Sequence, residues 1–132
     1  MLITCPQAVS FASQPLDAVR QIAIDCRAAK SILDRSDLGP YPTFADAPEQ
    51  TVTVKVVAAP DRDQPWLAPG TQGTLTFRTS PSATDGSRKT YTLTTTVMSV
   101  VHDLSESATK RTIEFAAISP DGAADPITIS NT

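Results

Sequence analysis

The 132-residue chain is short of nearly everything that reactive sites and membrane spans require. It has one His, one Trp, two Cys and five Gly, and aromatic residues make up only 5% of it. No apolar run approaches the roughly 18 residues of a membrane-spanning helix. The start, Met1-Leu2-Ile3-Thr4-Cys5, lacks a basic region and a sustained apolar stretch, so neither a secretory leader nor a lipid anchor is expected. Eleven Lys and Arg stand against fourteen Asp and Glu, a net charge of −3. That balance argues against a protein that grips nucleic acid through its phosphates. Cys5 and Cys26 have no CxxC partner and no His at ligand spacing, which excludes a zinc site. They either pair across neighbouring strands or stay reduced as small apolar side chains.

Two residue types are plentiful. Eleven prolines disfavour long helices, and eighteen threonines favour strands. With 40% apolar and 19% charged residues, the balance is that of an ordinary folded chain, enough for one domain over residues 1–132.

Alternation with period two marks the strands. In Thr51–Val56 the valines face one way and Thr51, Thr53 and Lys55 the other. Gly73–Arg78 places Leu75 and Phe77 inward, with Thr74, Thr76 and Arg78 outward. Thr90–Val101 sets Tyr91, Leu93 and Val97 against Thr90, Thr92, Thr94 and Thr96, and its pattern breaks after Val97 as at a bulge or a fully covered strand end. Arg111–Ala117 alternates through Ile113 and Phe115, and Ile127 with Ile129 ends the chain. Val9 with Phe11, and Ile22 with Ile24 and Cys26, add two short strands, about seven in all. Breakers separate them: Pro60–Gly73 with the turn pair Pro69-Gly70, Ser80–Lys89 with Asp85-Gly86, and Asp121-Gly122. Asp34–Glu49, with Pro40, Pro42 and Pro48, reads as a long loop of the kind that often carries function. Arg27–Asp34 is either a short helix or an extension of the preceding strand.

The expected fold is therefore all-β: a single-domain antiparallel β-sandwich or small β-barrel with a long projecting hairpin and at most one short helix. A 12-residue strand spans ~40 Å, longer than so small a body. The hairpin of Thr74–Thr79 with Thr90–Thr96 is thus expected to project and to need a partner for its edge.

Chemistry is hard to find. His102-Asp103 has Ser99 and Ser105 nearby, but no nucleophile-elbow or oxyanion-hole signature accompanies them, and the site reads as surface. Asp61, Arg62 and Asp63 lack the alternating ligands of a calcium loop, and Asp34, Asp37 and Asp46 are irregularly spaced. No catalytic, cofactor-binding or metal-binding residue is expected, and the chain reads as no enzyme. Arg88-Lys89 and Lys110-Arg111 are too few for a nucleic-acid footprint.

What remains points to surfaces. Thr74, Thr76, Thr90, Thr92, Thr94 and Thr96 form a hydrated hydroxyl face, either plain solvated sheet or a surface that neighbouring copies continue. Trp66 in its Pro-rich loop either folds over its own core or anchors a neighbour. With Leu67, Tyr41, Phe44, Arg88 and Lys89 it makes up the candidate subunit interface.

The order of these features resembles the tail tube proteins of long-tailed bacteriophages. The resemblance runs through Val19–Asp25, the loop Asp37-Leu38-Gly39-Pro40-Tyr41-Pro42, Thr51–Val57, Pro69–Phe77, Tyr91–Val101 and Arg111–Ser119. It implies a small β-barrel forming hexameric rings that stack into the conduit for DNA ejection. It also implies partners: copies of itself, other tail proteins, and DNA that passes without specific binding, all in the virion and with no membrane anchor. Members of that family usually carry a helix packed on the barrel. Tail terminators and baseplate hub proteins have related barrels and remain alternatives. From a different class, a monomeric Ig-like or carbohydrate-binding β-sandwich would use Trp66, Tyr41 and Phe44 for its ligand.

Overall fold

The computed structural model describes residues 2–4, 6–16, 18–59, 67–79, 88–104 and 109–131. Within them the chain forms nine strands and no helix. Alternation dictates the wall strands. Leu75 and Phe77 of β6 (Gln72–Arg78), Tyr91, Leu93 and Val97 of β7 (Lys89–Leu104), and Ile113 and Phe115 of β8 (Thr109–Ala117) are all buried. The expected bulge is present: the β7–β8 register shifts between Val97 and Ser99, which turns Met98 out to solvent.

The remaining strands are β1 (Leu2–Thr4), β2 (Gln7–Phe11), β3 (Gln14–Pro15), β4 (Val19–Arg35), β5 (Pro42–Ala58) and β9 (Ile127–Asn131). Every pairing among the described residues is antiparallel, and the strands follow the order β1-β4-β5-β8-β7-β6-β2-β3, with β9 also on β7. β8 and β9 share one edge of β7 in tandem, opposite Thr95–Leu104 and Lys89–Leu93 respectively. Between them Ile118 N–H donates to the Thr94 carbonyl at 2.8 Å.

The sheet closes on itself. β1 (Leu2–Thr4) pairs with β4 (Val19–Arg35), while β2 (Gln7–Phe11), a few residues later, pairs with β6. One N-terminal segment thus joins both ends of the sheet. Phe11 of β2 and Phe115 of β8 lie three strand spacings apart along it, about 14 Å if the sheet were flat. Their ring centroids are 5.0 Å apart. The sheet is therefore curled over on itself, and the N-terminal segment seated at both of its ends makes it a barrel rather than an open sandwich. Its interior holds Ile3, Val9, Ile22, Ile24, Val54 and Val56 besides the side chains already named.

Tight turns pin the wall. Ala12 and Ser13, both with positive φ (53° and 65°), make the two-residue turn from β2 into β3 (Gln14–Pro15), as a type I′ hairpin requires. This turn lies against Gly73, where an added Cβ would come within 2.8 Å of the Ala12 Cβ. Pro69-Gly70 forms the turn its sequence announces: Gly70 has φ 92°, and Thr71 N–H donates to the Ala68 carbonyl at 3.1 Å. Gly70 N–H then reaches the Val97 carbonyl at 2.7 Å, so the loop is tied to the bulge of β7.

The projecting element is not the one expected. The Thr74–Thr79 and Thr90–Thr96 hairpin lies in the barrel wall, because Leu75, Phe77, Tyr91 and Leu93 fill the core. Instead β4 and β5 (Pro42–Ala58), 17 residues each, run on together as a two-stranded arm. On β4 no residue beyond Ile24 is buried, and on β5 none before Val54. The ten residues from Cys26 to Arg35 extend about 33 Å at the usual rise. Of the two readings of Arg27–Asp34 the strand extension holds, for the segment is the outer part of β4, whereas most of the expected Asp34–Glu49 loop is strand, leaving only Ser36–Tyr41 as the tip. Cross-strand pairing outweighs the prolines here: Pro42 ends the arm, and Pro48 lies between the register shifts of Lys30 and Ile32.

Candidate interaction surfaces

The hydroxyl face is real and wider than the alternation of two strands indicates. Thr76 stands opposite Thr92, Thr92 opposite Thr128, and Ser10 opposite Thr76, a row of hydroxyl residues across four strands. Thr74 with Thr94, and Thr90 with Ser130, make the adjoining rows, while Thr96 stands opposite Gln72. On β2, β6 and β7 their neighbours in sequence fill the barrel, so the pleat turns them outward, although the Thr90 hydroxyl is buried; on the edge strand β9 the intervening Ile129 is exposed as well. Thr74, Thr94, Thr128 and Ser130 are exposed, and Ser10, Thr76, Thr90, Thr92 and Thr96 are half-buried. Ser10, Thr128 and Ser130 were missed by the sequence reading, although Thr128-Ile129-Ser130 carries the same alternation. Thr95 breaks the outward rule. It faces the interior with its side chain fully buried, and its hydroxyl donates to the Gly73 carbonyl at 3.4 Å.

The arm is the second surface. Leu38 is 96% exposed and Tyr41 81%, and Ile32, Leu33 and Phe44 are also open to solvent. These five are half of the ten large apolar side chains exposed among the described residues. The arm is held by its backbone ladder and a few polar contacts, such as Thr43 Oγ1 to the Asp34 carbonyl at 3.3 Å and Arg27 Nε to Asp25 Oδ2 at 2.7 Å. Cys26 sits at its base as an exposed free thiol opposite Val52; Cys5 lies outside the described residues.

Where the arm leaves the barrel, a groove of about 710 Å³ opens between Cys26, Pro48, Gln50 and Val52 and the loop that follows β8. That loop is shaped by one carboxylate. Asp121 Oδ1 accepts from the backbone N–H groups of Ala124 (2.8 Å) and Ala123 (2.9 Å) and from Ser119 Oγ (3.2 Å). Ser119 Oγ in turn accepts from Gly122 N–H at 3.1 Å. These bonds, the one from Ala124 foremost, hold the exposed Asp121 carboxyl below the usual carboxylate range.

The remaining candidates scatter. Tyr41 and Phe44 lie at the outer end of the arm, far along the chain from the barrel wall. Leu67 is buried in the core, whereas Lys89 is exposed at the start of β7 and Arg88 half-buried beside it. Trp66, Asp61, Arg62, Asp63 and Ser105 lie outside the described residues. His102 is exposed and stands opposite the buried Arg111, while Ser99 stands opposite Glu114. Among the described residues no group of three His, Cys, Asp or Glu converges as a metal site. No protein-family model matches the chain, and no curated protein is significantly similar to it.

Proposed function

We propose that the chain is a structural, non-enzymatic subunit of a phage-like tail tube, whose copies assemble into stacked rings around a passage for DNA. The observation that carries this reading is the arm. A two-stranded ribbon is marginal in water unless something covers it. This one extends about 33 Å from its core, with neither outer edge paired among the described residues and with large apolar side chains exposed. Copies of the same chain are the simplest cover, because a closed ring removes every free edge. The neutral hydroxyl face supports the same reading. A lining made mainly of Thr and Ser stays hydrated and, apart from Arg78 opposite Thr90, offers phosphates no fixed cation from these rows, so DNA slides past it.

Negative-stain electron microscopy and light scattering of the purified chain test the proposal. Rings or tubes are the expected result. A monodisperse monomer at millimolar concentration overturns it, and a monomer whose Trp fluorescence shifts with added sugars points to the carbohydrate-binding module instead.

A further inference from the structure

We propose that the arm's two free edges are the subunit contact, β4 of one copy pairing with β5 of the next. The inference rests on the self-assembly reading above and specifies which edges meet and why.

The first argument is charge. The open edge of β4, Asp25–Arg35, carries Arg27, Lys30 and Arg35 against Asp34 and against Asp25, which is bridged to Arg27 at 2.7 Å. The arm part of β5, Pro42–Val52, carries Asp46 and Glu49 and no base. The acidic side extends further, for no Lys or Arg occurs between Ser36 and Val54 or between Thr112 and Asn131. The second of these stretches supplies Asp121 and Asp125 of the loop beside the arm. One edge of the ribbon is thus basic and the other acidic, and the chemical complement of each is the opposite edge of an identical molecule. Such a contact is head-to-tail, the type that closes into rings.

The second argument is direction. β4 and β5 are antiparallel within one arm. When arms stand side by side pointing the same way, β5 of one lies antiparallel to β4 of the next. The pairing that builds the arm therefore repeats between copies without reversing a subunit.

The edges themselves supply the third. On β4, pairing with β1 covers Gln21–Ala23, and no strand among the described residues pairs with its outer edge from Asp25 to Arg35. On β5, pairing with β8 begins at Thr53, and no strand among the described residues pairs with that edge over Pro42–Val52. Pro42 and Pro48 lack N–H donors, so the β5 edge is a poor template for indiscriminate strand addition. Opposite charge then selects the partner. The groove at the arm's base lies along the Pro48–Val52 stretch of this edge.

The test uses two charge-reversed chains that leave the Lys30–Glu49 cross-strand pair untouched. One carries Arg27→Glu and Arg35→Glu, making both edges acidic; the other carries Asp46→Lys and Gln50→Lys, making both basic. Circular dichroism and thermal melting establish that each barrel is folded. In size-exclusion chromatography at low salt, the native chain is expected as an oligomer and each variant as a monomer, with association weakened at least tenfold. An equimolar mixture of the two is expected to recover oligomers by alternating. If the native chain assembles and the variants assemble equally well, or if the mixture of folded variants stays monomeric, the edge assignment is overturned and the self-assembly reading stands. A native chain that remains monomeric overturns both.

Discussion

The barrel and the arm are made of the same strands, yet different physics holds them. In β4 and β5 the inner residues Ile22, Ile24, Val54 and Val56 are sealed in the core, while their continuations past Cys26 and Val52 bury nothing. The inner half gains stability from apolar area removed from water, roughly 25 cal/mol per Å². The outer half has only its ladder, whose hydrogen bonds replace bonds to water at a small net gain. The same two strands are thus rigid where they wall the barrel and dependent on a cover where they leave it.

Perturbations of the two regions are expected to differ accordingly, and the largest effect lies in the barrel. Phe77 is fully buried and stacks on Tyr91 with ring centroids 5.1 Å apart. Phe77→Ala is expected to cost ~3–5 kcal/mol through the cavity it leaves, read as a lower denaturant midpoint. A residue in the arm gives no comparable loss in the isolated chain. Gly73→Ala comes next, at about 1–3 kcal/mol, because its Cβ would press on Ala12 in a turn that cannot retreat. An unchanged melting temperature for that variant would show that the β2–β3 turn is not packed on β6.

A stabilising change sharpens the contrast from the other side. Ser13 is held at φ 65°, so Ser13→Gly is expected to raise barrel stability by about 1 kcal/mol in equilibrium unfolding. Smaller still is the response of the loop at the arm's base. The folded pKa of Asp121 lies below its ordinary 3.8, so its bonds contribute fully above that pH. The contribution is lost as pH falls through the lowered value, and amide exchange at Ala123 and Ala124 is expected to quicken there. The smallest effect on the fold belongs to the arm itself. Replacing residues 29–49 by Asn-Gly, which joins the paired Ala28 and Gln50, is expected to leave the barrel's melting within about 0.5 kcal/mol while abolishing oligomers. A barrel that unfolds on this truncation would erase the distinction drawn here.

Legibility in the sequence followed the same division. Leu75, Phe77, Tyr91, Leu93, Ile113 and Phe115 announced the wall strands because a half-buried strand must alternate. Pro69-Gly70 announced its turn because only Gly takes φ 92° there without strain. The arm was hidden because its composition obeys no burial pattern: Cys26–Arg35 shows no period of two, and the prolines of 40–48 imitate a loop. The hydroxyl face was half visible, since alternation reveals which side of a strand a residue takes but not which strands become neighbours. Ser10 and Thr128 joined it only through pairing with Thr76 and Thr92.

By itself the sequence determined that this protein is all-β, that Leu75, Phe77 and Phe115 face inward, and that Thr74 and Thr94, alternating with buried residues, face out. Those outcomes depend on local geometry, where side chains alternate and β-branched residues favour extended backbone. Tertiary structure decided the closure of the sheet through the split N-terminal strand, the tandem seating of β8 and β9 on β7, and which hairpin leaves the body. These are settled by long-range pairing and by how many strands one small core can cover, quantities that no window of neighbouring residues contains.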